Sequence, residues 1–138
     1  MKLDTQVVGN IGMYYSCYKL SRMGWNVMPT ARNAKGVDII AYNSKATEYI
    51  GVQVKTLSRH VAVPLGNSLE KVMGDYWVII TGASGEPTTF VLLPQEVKEL
   101  ATFNDKNGKR SYWLSRKQYD QEQFRGAWHR IGQGAENA

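Results

Sequence analysis

Two β-forming runs, residues 37–42 (Val-Asp-Ile-Ile-Ala-Tyr) and 49–56 (Tyr-Ile-Gly-Val-Gln-Val-Lys-Thr), flank the turn-like stretch Asn43-Ser44-Lys45-Ala46-Thr47. This pattern predicts a hairpin of two strands. Along the second strand, Val52 and Val54 point to one face and Gln53 and Lys55 to the other, because side chains alternate. A symmetric hairpin centred between Lys45 and Ala46 places Asp38 opposite Gln53. Opposed residues share a face, with β-carbons about 5 Å apart. Asp38, Gln53 and Lys55 are therefore expected to form a polar cluster on an otherwise apolar sheet.

Such a cluster is costly unless its members are paired or hold an ion. A hard divalent cation such as Mg²⁺ takes oxygen ligands and keeps several waters. Asp38 can supply a carboxylate oxygen and Gln53 a weaker amide oxygen. Lys55 is a flexible point charge suited to a nearby water or a phosphate. The parts suit hydrolysis of a phosphodiester. The bland alternative from the same spacing is that Asp38 caps a turn while Gln53 and Lys55 line a solvated strand face. No His/Cys metal cluster, phosphate-cradling glycine loop or Ser/His/Asp arrangement competes. His60 and His129 stand alone and are expected to be surface or hydrogen-bonding residues.

Elsewhere, residues 11–23 have helical spacing of Ile11, Tyr14, Tyr15, Tyr18 and Leu20, and Gly24 stops them as a left-handed C-terminal residue. Residues 25–28 read as a short strand ended by Pro29, and 30–36 as a basic loop. Ser68 is expected to cap a short helix reaching Met73. Residues 76–81 and 88–93 read as strands, and Pro94 opens a helix to about Ala101. Residues 104–110 are expected to be a loop, 111–114 an edge strand, and 115–130 a helical region capped by Ser115 and broken near Asp120. The expected fold class is α/β, a mixed central sheet flanked by helices. Residues 1–131 are read as a single domain, and 132–138 as a flexible C-terminal tail.

The 138 residues suffice for a real core, and 43% of them are hydrophobic. The lone cysteine, Cys17, excludes an internal disulfide framework and reads as a small apolar residue in the first helix. A reducing, cytoplasmic setting is the default expectation. The start lacks the apolar run of a signal peptide, and no stretch approaches the roughly 20 apolar residues that cross a bilayer. The formal charge is +5, with a sequence pI near 9.4, the balance of many nucleic-acid-binding domains. The surplus sits in two segments. Residues 19–35 hold four basic residues and no acid, and residues 104–130 hold seven basic residues and three acids. In the second, Tyr112, Trp113, Tyr119, Phe124 and Trp128 are interleaved with cations. Base stacking is one reading of them and packing onto the sheet is the other.

The pattern Gly24-Trp25 after a helix, then Gly36-Val37-Asp38, then Gln53-Val54-Lys55 resembles the PD-(D/E)xK nuclease superfamily. The nearest branch is that of archaeal Holliday junction resolvases and small restriction-nuclease-like domains. The resemblance covers about residues 7–101 and implies a restriction-endonuclease-like core in α-β-β-β-α-β order. It further implies that Asp38 binds metal, that Gln53 holds the second acidic position, that Lys55 is catalytic, and that the Val54 carbonyl is a further ligand. Val37 replaces the usual proline. Gln53 replaces glutamate, a change that weakens metal binding. Met13 stands where many relatives carry a first-helix glutamate, and methionine cannot hold Mg²⁺.

The expected function is a Mg²⁺- or Mn²⁺-dependent DNA endonuclease, with four-way junctions among its candidate substrates. The alternative is a degenerate nuclease-fold module that binds nucleic acid without cutting, and a third reading is a structural subunit of a defence or repair complex. Arg32 and Lys35 are the leading phosphate contacts, because their loop feeds into Asp38; Arg59 joins them. DNA is the expected partner and no membrane is. A homodimer would suit paired cuts on two strands.

Overall fold

The computed structural model describes residues 2–31 and 36–136. Its first helix, α1 (Thr5–Arg22), starts six residues before the apolar spacing announces it. Its buried seam is Val8, Gly12, Ser16 and Leu20, one residue per turn. Two of the four are small, so the seam gives little hydrophobic periodicity. Their size lets the helix lie close against the sheet: a β-carbon built on Gly12 would fall 1.7 Å from Thr56 Oγ1. As expected, Gly24, at φ +90°, ends the helical region. Cys17 is half-buried on α1 and burial pushes its thiol pKa up, which fits an inert packing residue.

Five strands form the central sheet: β1 (Asn26–Pro29), β2 (Ile39–Tyr42), β3 (Tyr49–Thr56), β5 (Tyr76–Thr81) and β6 (Thr88–Leu92), in the order β1-β2-β3-β5-β6. Neighbours are antiparallel except β3 and β5, which run parallel. The parallel step needs a crossover, and the chain supplies it with strand β4 (Val63–Gly66) and a 3₁₀ turn (Leu69–Lys71). Ser68 caps that turn, its Oγ accepting the Glu70 N–H at 3.1 Å. The short helix expected there shrinks to this single turn, and β4 goes beyond the expected elements.

The sheet divides two cores. On the α1 side, Leu20, Trp25, Ile39, Val52, Val78 and Val91 pack together with Trp128 and Ile131. On the opposite side, Trp77, Ile79, Phe90 and Leu92 pack against Leu65 of β4, Val97 of α2 (Pro94–Leu100) and Tyr119 of α3 (Arg116–Tyr119). Helices thus flank a mixed, mostly antiparallel sheet. No helix among the described residues is long and apolar enough to cross a membrane.

Three expectations for the C-terminal third are corrected. Residues 104–110 are not a loop: β7 (Thr102–Lys106) and β8 (Lys109–Leu114) form a hairpin. Its turn is Asn107-Gly108, both at positive φ, the turn chemistry that matches strand twist. Residues 111–114 are not an edge either, since β8 is the middle strand of a second sheet, β4-β8-β7. The region after Ser115 is helical for one turn only. The chain then runs along β6, with Val91 N–H donating to Phe124 O and Gly126 N–H to Thr89 O. Phe124, Tyr119 and Trp128 are buried, so most of this aromatic segment packs rather than offering faces to bases.

Within the segment expected to be a flexible tail, Gly132 and Gly134 make hydrogen bonds to the body of the fold. Trp25 Nε1 donates to Gly132 O at 2.9 Å, Gly134 N–H donates to Met23 O, and Ser44 N–H donates to Gly134 O. The Trp25 indole supplies an apolar seat that composition alone does not reveal.

Candidate active site

The hairpin register is the expected one: Ile39 pairs with Val52 and Tyr42 with Tyr49, which extrapolates to Asp38 opposite Gln53. The turn is set by Asn43, whose Oδ1 accepts the N–H groups of Thr47 and Glu48, with Ala46 at φ 54°.

Strand β2 begins at Ile39 because Asp38 leaves the ladder. Its backbone is clamped from two sides. Asp38 N–H donates to Val52 O, and Thr30 N–H donates to Asp38 O, each at 2.9 Å. Its side chain then substitutes for the missing rung, Oδ2 accepting the Val54 N–H at 2.7 Å. The carboxylate therefore lies along the sheet edge beside β3 instead of standing upright on the face. Among the described residues Oδ1 has no hydrogen-bond partner. Within a strand the N–H and C=O of one residue point the same way, so the Val54 carbonyl also looks past the start of β2 toward Asp38.

Asp38 and Val54 border a cavity of about 300 Å³ roofed by the α1 residues Gln6, Asn10 and Met13 and closed by Lys55 and Thr56. Gln53 opens elsewhere. It is 7% exposed, with Oε1 a long 3.5 Å from the Met73 N–H. It lines an adjoining cavity of about 220 Å³ with Leu65, Lys71, Val72 and Trp77. Lys55 is the shared wall of both cavities, and its Nζ lies 5.8 Å from the centroid of the Trp77 ring. The structure thus brings Asp38, Val54 and Lys55 together, and Gln53 and Lys55 together. Asp38 and Gln53 do not share a cavity, because the Val54 hydrogen bond turns the carboxylate sideways.

Gln6 and Asn10 escape the sequence reading. With Met13 they follow the i, i+4, i+7 spacing of one helix face, a signal lost by starting the helix at Ile11. Arg59 is exposed and borders a neighbouring cavity of about 640 Å³ with Lys2 and Ser58; Thr56 separates it from the Asp38 cavity. Arg32 and Lys35 lie outside the described residues. His60 Nδ1 is 2.7 Å from Thr81 Oγ1, a hydrogen-bonding role, and His129 is exposed.

Among the described residues no three His, Cys, Asp or Glu side chains gather into a metal-binding group. The donors at the Asp38 cavity are one carboxylate, the Val54 carbonyl and the amides of Gln6 and Asn10. All can present oxygen, so the set fits a hard divalent cation completed by water, and Met13 contributes nothing to it.

The architecture is a mixed α/β sheet flanked by helices. No protein-family model matches the chain, and no curated protein matches it. A solved structure does: that of a bacterial homing endonuclease, I-Ssp6803I, with a TM-score of 0.57 and 15% sequence identity, covering 94% of this chain and 93% of the other. At that identity the likeness is one of fold, and it extends over nearly the whole of both chains.

Proposed function

We propose that the protein is a DNA endonuclease of the PD-(D/E)xK type, using Mg²⁺ or Mn²⁺. The observation that carries this reading is the Asp38 carboxylate. It is fixed at 2.7 Å on the Val54 N–H and shares a cavity with Lys55. The whole-chain likeness to an endonuclease fold supports it.

Asp38, through Oδ1, and the Val54 carbonyl would hold the metal, with water and a substrate phosphate completing its shell. A divalent ion held there would supply Lewis acidity, polarising the phosphate and lowering the pKa of a bound water. The chain's own residues do the remaining work. The Val54 N–H holds the carboxylate in one orientation, so no reorganisation is needed when substrate arrives. The Lys55 ammonium, which rests near Trp77, would swing to a phosphate oxygen, donate to it and offset the charge that builds as water adds and the P–O ester bond breaks. The apolar wall of Met13 limits the water that competes for the site.

A second reading, a nuclease-fold module that binds DNA without cutting, is favoured by one specific observation: Gln53 faces the other cavity, leaving a single carboxylate beside Lys55. One experiment separates the two. Supercoiled plasmid, linear duplex and a four-way junction are incubated with the protein in Mg²⁺, Mn²⁺ and Ca²⁺. The endonuclease reading expects cutting in Mg²⁺ or Mn²⁺, binding alone in Ca²⁺, and loss of cutting with retained binding in Asp38→Ala. Binding with no cutting in any metal would leave the module.

A further inference from the structure

The hairpin β7–β8 stands out from the body of the fold, with every residue of β7 exposed. Its two faces differ in chemistry. Cross-strand pairing puts Phe103 with Tyr112 and Asp105 with Arg110 on one face. There the charges neutralise one another, Arg110 donating to both Asp105 carboxylate oxygens and stacking 3.9 Å from the Phe103 ring centroid. Tyr112 carries that face back toward the core.

The opposite face carries Thr102 with Trp113, Asn104 with Ser111, and Lys106 with Lys109, and strand alternation puts no carboxylate on it. Its polar groups form one directed row. Trp113 Nε1 donates to Ser111 Oγ at 3.3 Å, and Ser111 Oγ donates to Asn104 Oδ1 at 2.9 Å. The row engages the amide oxygen and leaves the Asn104 NH₂ without a partner among the described residues. With the two lysines at the tip, this face is positively charged and presents the amide NH₂ as a donor. Trp113, 37% exposed, stands at its base.

The ribbon is tied to the candidate active site. β8 pairs with β4, and Leu65 of β4 lines the cavity that Lys55 and Gln53 share. The base of the ribbon therefore adjoins the cavity that Lys55 lines.

We propose that the Asn104–Lys106–Lys109–Ser111 face of the β7–β8 ribbon docks in the major groove of duplex DNA and reads base edges there, an assignment that rests on the endonuclease reading. The major groove admits a two-stranded ribbon. A five-residue strand spans roughly 17 Å, enough to follow the groove past a few base pairs. The Lys106 and Lys109 ammonium groups meet phosphates. The Asn104 NH₂, pre-oriented by Ser111, donates to an acceptor on a base edge, such as a purine N7. Lysines supply affinity and salt dependence, and the amide supplies selectivity.

The test uses the full chain with a randomised duplex library in Ca²⁺. Lys106→Ala with Lys109→Ala should weaken binding for all sequences alike. The slope of log K against log salt should fall in magnitude by about 1.8, or roughly 0.9 for each phosphate that is no longer neutralised. Asn104→Ala should keep the wild-type salt slope and relax the selected sequence at one or two positions. Unchanged slope and selection in variants whose wild type binds DNA would overturn the ribbon assignment while leaving the endonuclease reading intact. A change in sedimentation behaviour in place of a change in DNA binding would mark the ribbon as a contact between copies and overturn it equally. Failure of the wild type to bind any DNA at low salt would sink the endonuclease reading, and the ribbon with it.

Discussion

Helix α1 roofs the Asp38 cavity, and its height above the sheet is set by Gly12. A β-carbon there would lie 1.7 Å from Thr56 Oγ1, 2.8 Å from Thr56 Cβ and 2.9 Å from Thr56 Cγ2. Carbon atoms in contact rest about 3.5–4.0 Å apart. Rotating Thr56 about χ1 moves Oγ1 and Cγ2 but not Cβ, so Gly12→Ala must lift the helix or push β3. Overpacking of this kind costs about 1–3 kcal/mol, and the better helix propensity of alanine returns about 1 kcal/mol. The net expectation is a loss of up to about 2 kcal/mol, or up to roughly 8 °C in Tm at this chain length. Gly9 supplies the internal control, since a β-carbon there meets nothing within 4 Å. Gly9→Ala should keep the whole propensity gain and raise Tm by about 4 °C. Thermal unfolding followed by circular dichroism reads both variants. A Gly12→Ala protein that melts as high as Gly9→Ala would refute the close approach of α1 to β3, and with it the cavity built beneath the helix.

Lys55→Ala should leave metal-dependent stabilisation intact and lower the single-turnover cleavage rate by at least about a hundredfold, as losses of transition-state donors do; cleavage within threefold of wild type would remove Lys55 from the chemistry. Gln53→Glu should raise apparent Mg²⁺ affinity, measured by titrating cleavage, if the side chain can swing toward Asp38. An unchanged titration would keep residue 53 in the Trp77 cavity. Burial raises the Glu96 carboxyl pKa, but the Arg130 guanidinium at 2.8 Å and the Leu93 N–H outweigh it and leave the pKa below 4.5. The stabilisation from this lowered pKa is therefore present above pH 4.5 and lost as pH falls through the lowered value. Glu96→Gln should flatten that part of the acid limb of a stability–pH profile; an acid limb identical to wild type would contradict the linkage. Deleting residues 133–138 removes the Gly134 N–H bond to Met23 O and the Ser44 N–H bond to Gly134 O. The expected loss is about 2 kcal/mol at about 1 kcal/mol each, with a solvent-shifted Trp25 emission; unaltered Tm and emission would show the segment to be loose after all.

Local chemistry is readable wherever one residue type decides the backbone. Gly24 ends α1, Asn43 organises the hairpin turn, Ser68 caps its 3₁₀ turn, and alternation along β3 assigns Val52 and Lys55 to opposite faces. The turn symmetry alone places Asp38 across from Gln53. The Asn107-Gly108 turn is equally local. It reads as a loop because residues 104–106 and 109–111 beside it are polar on both faces and lack the apolar alternation that marks a half-buried strand. Other features need contacts between distant segments. Gly12 and Ser16 make the α1 seam only because Thr56 lies opposite, so the helix start is invisible to hydrophobic periodicity. The sideways turn of Asp38 depends on an unpaired Val54 N–H, which exists only because β2 stops one residue short. The division of Asp38 and Gln53 between two cavities follows from that bond, and the seat of residues 132–136 follows from a Trp25 indole that the chain meets again more than a hundred residues later. Sequence determines which side chains stand on which face. Where those faces end, and what closes over them, is decided by packing between segments that the chain order keeps apart.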